Sequence, residues 1–182
     1  MDDKAAFMQA LSDILVEHRV MSREQARDLL KSFGDSTIEE FEDFLLDQGL
    51  VEKDDLLAAL SKYYNVPSFD VADFFFERHF LREFPLDFLV RNEIIPVDTE
   101  NNTHLIVVAA EPNRSGLESA IRGFVSYDVI FNVGIRQDIV DAAREYYDAS
   151  VTEVNQDISI DEEHREAQEA EREIMTETEQ EE

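Results

Sequence analysis

The sequence predicts an α+β fold. Two tandem helical hairpins form an N-terminal four-helix subdomain, a small β-β-α-β-α sandwich follows, and an acidic disordered tail ends the chain. Three observations predict it. Residues 11–33 lie over residues 41–63 at an offset of 30 with no gap. After Pro67 the helical spacing gives way to Phe-rich and then Ile/Val-rich runs. Residues 151–182 hold 13 acids against two bases and only a few large apolar residues, too few to offset the entropy of ordering them. The boundaries that follow are 1–66, 67–148 and 149–182.

The repeat is apolar position by position. Leu11, Ile14, Leu15, Val16, Val20 and Met21 meet Phe41, Phe44, Leu45, Leu46, Leu50 and Val51. Matching apolar positions argue for two copies of one helix-turn-helix unit. Ser22, with Gln25 three residues on, reads as an N-cap of the second helix. After the break at Gly34, Ser36 or Thr37 can cap the third. Gly49 suits the C-terminus of that helix, because glycine enters the left-handed conformation at little cost. Glu52 to Asp55 place negative charge at the start of the fourth, where the helix dipole favours it.

Pro67 ends the fourth helix. Residues 69–88 contain Phe69, Phe74, Phe75, Phe76, Phe80, Phe84 and Phe88. Most are expected to pack in the core. Phe74, Phe75, Phe76 and Phe80 are candidates for a partner interface, since large apolar patches mark interaction sites. Glu93–Val97 and Thr103–Ala109 read as a β-hairpin around the polar turn 98–102. The Asp98, Glu100, Asn102 alternation lacks the glycine and final glutamate that a calcium loop requires. Helices are expected from Ser115 to about Phe124 and from Arg136 to Tyr147, with a strand over Tyr127–Val133 between them.

Charge and composition exclude several functions. The chain carries 43 Asp plus Glu against 16 Lys plus Arg, a net charge of -27. Such a surface repels nucleic-acid phosphates and anionic membranes. No cysteine is present, which excludes disulfides and thiolate chemistry. No basic leader and no apolar run of about 18 residues occurs, so a cytoplasmic protein without membrane insertion is expected. The five glycines never cluster into a phosphate loop, and His18, His79, His104 and His164 are scattered. No catalytic residue, metal site or cofactor is therefore expected, and the chain reads as non-enzymatic.

Two helical hairpins followed by a β-β-α-β-α unit resemble the N-terminal, MshEN-like domain of type II secretion and type IV pilus assembly ATPases. The run from Leu45 to Pro67, LLDQGLVEKDDLLAALSKYYNVP, carries much of the resemblance. So do the Phe69-Asp-Val segment, Ile94-Ile-Pro-Val97, the stretch from Leu105 to Pro112, and Glu145-Tyr-Tyr147. The likeness spans roughly residues 8–148. Some members of that family bind cyclic di-GMP through a tandem motif. Each copy opens with Arg-Leu-Gly, continues with paired aliphatics around a glycine, and ends on spaced Leu, Leu and Gln.

Carried over by position, the resemblance implies a ligand-binding set of Leu15, Val16, Arg19 and Val20 in copy one. In copy two it implies Leu45, Leu46, Gly49, Leu50 and Val51. The motif is degenerate. Ala10, Leu11 and Ser12 stand for Arg-Leu-Gly in copy one, with Arg19 at the middle glycine and Phe33 at the Gln. Glu40, Phe41 and Glu42 stand for it in copy two, with Tyr63 at the Gln. The arginines suited to bidentate contact with phosphate or guanine are gone from both starts.

The expected function is a non-enzymatic adaptor or regulator that contacts a protein of a secretion, pilus or motility assembly, with tight cyclic di-GMP binding lost. One alternative is a cyclic di-GMP receptor, with Arg19 or Arg23 substituting at an altered site. Another is the N-terminal piece of a full assembly ATPase, with residues 149–182 beginning a linker.

Overall fold

Helical hairpins form where the repeat places apolar residues on one stripe of each helix. In a computed structural model that describes residues 3–72, 74, 82–101 and 103–147, these are α1 (Asp3–Glu17), α2 (Arg23–Gly34), α3 (Phe41–Asp47) and α4 (Lys53–Tyr64). Then follow α5 (Leu86–Asn92), β1 (Ile94–Glu100), β2 (His104–Ala109), α6 (Leu117–Ile121), β3 (Asp128–Val133) and the helical residues 136–147, α7. The fold is α+β. The described residues up to Arg144 form one compact unit. The expected tail over 149–182 lies outside the described residues, as do Phe75, Phe76 and Phe80.

The register of the repeat is the register of the core. Leu11 and Phe41, Leu15 and Leu45, Met21 and Val51, and Ala26 and Leu56 are all buried. Val133 and Ile135 join the same apolar cluster, so the bundle core continues to the end of the sheet. The sheet order is β1-β2-β3, with β1 antiparallel and β3 parallel to β2. Beyond α4, Val133 donates to the Pro67 carbonyl at 2.9 Å and Phe69 donates to the Val133 carbonyl at 2.8 Å. The extended chain after Pro67 thus runs beside the end of β3. Lys53, at the start of α4, holds Asp70 and Asp138 at 3.0 Å each.

Local chemistry explains most element ends. Ser22 caps α2 as a full capping box: Gln25 N donates to Ser22 Oγ at 3.2 Å and Ser22 N donates to Gln25 Oε1 at 2.8 Å. Ser36 and Thr37 do not cap α3. Its N-cap is Glu40, with no side-chain hydrogen bond, because the chain stays extended until Phe41 reaches the core. Helix α5 was not expected. Pro85 sets its entry, Asp87 and Arg91 suit its dipole, and Leu89 is its buried contact. Arg114 closes its other end by donating to the Asn92 carbonyl at 3.0 Å and to Asn92 Oδ1 at 2.8 Å. The hairpin turn is tighter than expected. Asp98, Thr99 and Glu100 pair with β2 after a register shift between Pro96 and Asp98. Helix α6 spans only Leu117–Ile121, within the longer helix expected there.

The turns that end α1 and α3 superimpose by sequence and by conformation. Arg19 has φ of 63° and Gly49 has φ of 64°, 30 residues apart. Arg19 N donates to the Val16 carbonyl and Gly49 N to the Leu46 carbonyl, both at 3.0 Å. Copy one therefore holds an arginine in the left-handed region where copy two has glycine. A left-handed side-chain-bearing residue costs about 1–2 kcal/mol, and glycine's extra freedom recovers only part of that when unfolded. Arg19→Gly is expected to stabilise the fold by about 0.5–1 kcal/mol and Gly49→Ala to destabilise it by about 1 kcal/mol. Urea unfolding midpoints of the two variants check this. Shifts of the same sign would show that the two turns are not equivalent.

Candidate functional site

The residues implied by the tandem motif divide into core and surface. Leu15, Leu45 and Val51 are buried in the apolar cluster. Val16, Val20 and Leu46 are half-buried against it. Arg19, Gly49 and Leu50 are exposed at the two turns. Neither Leu15 nor Leu45 has accessible surface, so no open groove reaches them. Phe33 stacks edge-on against Phe41 and Phe44, with ring centroids 5.2 and 5.3 Å apart. Of the Phe interface candidates, only Phe74 is described. It is half-buried, with its ring 5.0 Å from that of Phe69.

A cavity of about 510 Å³ opens elsewhere, at the start of α3. Lys4 and Phe7 come from α1, and Glu40, Phe41 and Glu42 from the first residues of α3. Tyr63 and Tyr64 end α4, Glu111 and Asn113 follow β2, and Arg136 opens α7. Four of these residues hold motif positions of copy two. Glu40, Phe41 and Glu42 stand at Arg-Leu-Gly, and Tyr63 stands at the Gln. Folding thus gathers Glu40, Phe41, Glu42 and Tyr63, the positions that the resemblance aligns with the tandem motif, into one place.

Arg136 organises the polar wall. Its guanidinium pairs with Glu93, donates from Nη2 to Glu111 at 3.1 Å, and lies 3.8 Å from Glu40 at Nε. That buried Nε has no hydrogen-bond partner among the described residues. Burial works against the charge, but Glu93, Glu40 and Glu42 outweigh it and hold the guanidinium firmly protonated. Tyr64 is pushed well above the usual phenol value, by burial first and then by Glu111 and Glu42.

Glu42 is the unusual member. It is only 4% exposed, and burial raises its carboxyl above the ordinary value of 4.5 even though Arg136 pulls the other way. Asp43 is raised for the same first reason, with Glu40 adding to it. Among the described residues the buried polar or charged side chains are Ser12 and Glu42. They occupy equivalent places in the repeat, both standing at the motif's glycine. Ser12 is fully buried and its Oγ has no hydrogen-bond partner there.

Sequence reasoning missed Arg136, Glu111, Tyr64, Phe7 and Lys4 as site residues. Their partners lie far along the chain, and no local spacing announces them. One signal was present. Arginine at the first turn of a helix opposes the helix dipole, which suggests that its charge is satisfied elsewhere.

Residues 64–153 match the family model of the MshEN domain. A structure of MshE with cdg matches 75% of this chain and 98% of its own, at 20% identity and a TM-score of 0.58. That likeness is one of fold. The N-terminal domain of XpsE matches 75% of this chain and 92% of its own, at 20% identity and a TM-score of 0.48. No curated protein matches.

Two outcomes follow from the charges. Arg136→Met strands Glu93, Glu111 and Glu40 together. It is expected to lower stability by about 2–3 kcal/mol, below the fully buried figure because Glu40 and Glu111 keep some solvent. Denaturant unfolding measures this, and a neutral effect would remove Arg136 as an organising contact. For Glu42, the folded chain retains a proton that the unfolded chain has lost, so stability falls as pH rises from about 4.5 through the raised folded value. Glu42→Gln is therefore expected to be more stable than the parent at pH 7, with the gap closing towards pH 4. Urea midpoints at the two pH values decide it.

Proposed function

We propose, with residues 64–153 as an MshEN-like domain, that this protein is a non-enzymatic interaction module. It would contact a protein of a secretion, pilus or motility assembly, and it would not bind cyclic di-GMP tightly. The family relation supports the setting. The reading takes residues 1–66 and 67–148 as the two halves of the module and 149–182 as an acidic extension. No segment among the described residues is a helix long and apolar enough to cross a membrane.

The observation that carries the loss of the dinucleotide is the chemistry at the copy-two motif. A dianionic ligand placed there would meet Glu40, Glu42 and Glu111 in one cavity. Lys4 and Arg136 offset them only in part, since Glu93 draws on Arg136 as well. The half-buried Phe74 remains a candidate for the contact surface.

The second reading, a cyclic di-GMP receptor, has one observation in its favour: the fold matches that of MshE, which was solved with cdg. Arg19, exposed at the first turn, would be its cation. Calorimetry separates the two. Cyclic di-GMP is expected to bind more weakly than about 100 μM and to leave the melting temperature unchanged. Micromolar or tighter affinity would establish the receptor reading instead. Affinity purification from the native cell is expected to return a named component of a secretion, pilus or motility assembly, and its consistent absence would overturn the adaptor role.

A further inference from the structure

We infer that the cavity at the start of α3 receives one arginine side chain of a partner protein. Glu42 supplies the counter-charge, and Phe7, Tyr63 and Tyr64 supply the walls. The existence of a partner rests on the interaction-module reading, whereas the pocket's preference stands on its own geometry.

Size comes first. About 510 Å³ lies within the range of roughly 300–1,000 Å³ typical of ligand pockets. Such a space holds a long side chain and part of its backbone.

The formal charge of the cavity lining is negative, with Glu40, Glu42 and Glu111 against Lys4 and Arg136. Lys4 donates to the Glu39 carbonyl and lies 5.5 Å above the Phe33 ring. Arg136 is held by Glu93, Glu111 and Glu40. Glu42 lines the same space, is 4% exposed, and forms no ion pair among the described residues. A buried carboxylate without a directly paired cation is costly, and burial raises the Glu42 carboxyl even though a backbone hydrogen bond and Arg136 draw it down. An entering cation would relieve the cost.

The walls select among cations. The Phe7 and Tyr63 rings stand 4.9 Å apart at 79°, and Tyr63 and Tyr64 stand 4.8 Å apart at 88°. Phe7 and Tyr64 are 6.3 Å apart. The two near-perpendicular pairs, Phe7–Tyr63 and Tyr63–Tyr64, line the same cavity as Glu42. A planar guanidinium can stack on a ring face while its N–H groups reach the carboxylate at its edge. An ammonium is a more strongly hydrated point charge and gains less from flat walls. Arg136 provides the internal precedent, a guanidinium already held by carboxylates in this wall.

The test titrates the full chain with Ac-Gly-Arg-Gly-NH2 and follows backbone amide shifts by nuclear magnetic resonance. The matched peptide with citrulline in place of arginine keeps the shape and removes the charge. Saturable shifts centred on Phe7, Glu42, Tyr63 and Tyr64 are expected, with the citrulline peptide at least about tenfold weaker. Glu42→Gln is expected to weaken the arginine peptide about fivefold or more. Tyr63→Leu should weaken it as well, as an independent second variant of the pocket wall. Thermal melts establish that each variant used is folded.

Equal binding of the citrulline peptide, or shifts that never saturate, would overturn the inference. So would full affinity in both folded variants. Specific arginine binding alongside a failed affinity purification would uphold the pocket while removing the assembly role. No arginine binding alongside a successful purification would remove the pocket and leave that role.

Discussion

Arg136 enters from the first turn of α7 and meets carboxylates from three distant places: the start of α3, the end of α5 and the loop after β2. What draws them to one point is a guanidinium that cannot lose its proton and must be paired where water is scarce. The acidic composition makes this demand easy to meet, since carboxylates outnumber cations across the chain. The consequence is a polar wall shared by helices and sheet, with Glu42 buried beside it.

The two hairpins show how a duplicated unit diverges without losing its shape. Buried aliphatics at matched positions keep both copies folded, because packing tolerates one apolar residue for another of similar size. The left-handed turn persists even with arginine in one copy, since the flanking helices over-determine it. The opening residues of each copy flank a buried core position, Leu11 in one and Phe41 in the other. There the copies differ most: Ala10, Leu11 and Ser12 against Glu40, Phe41 and Glu42. Ser12 and Glu42 are buried at the same repeat position. A polar side chain is tolerated in both copies where the motif has glycine.

Much of the fold was legible in the chain. The repeat, the Ser22 capping box, the turn at Gly49, the hairpin and the last helix all depend on neighbours within a few residues. Helix α5 escaped notice because its seven residues offer one buried leucine and little periodicity, and its far end is closed by Arg114 from beyond the hairpin. The cap of α3 was misplaced because serine and threonine propensity yielded to the position at which Phe41 enters the core.

The sequence alone determined the fold class, the duplication and the sign of the charge, because those properties are periodic or additive along the chain. Only tertiary structure decided that Glu40, Glu42 and Tyr63 share a cavity with Phe7, Glu111 and Arg136. Those residues are brought together by packing between elements tens of residues apart. An ion pair depends on distance and burial in three dimensions, and neither quantity is written in local spacing.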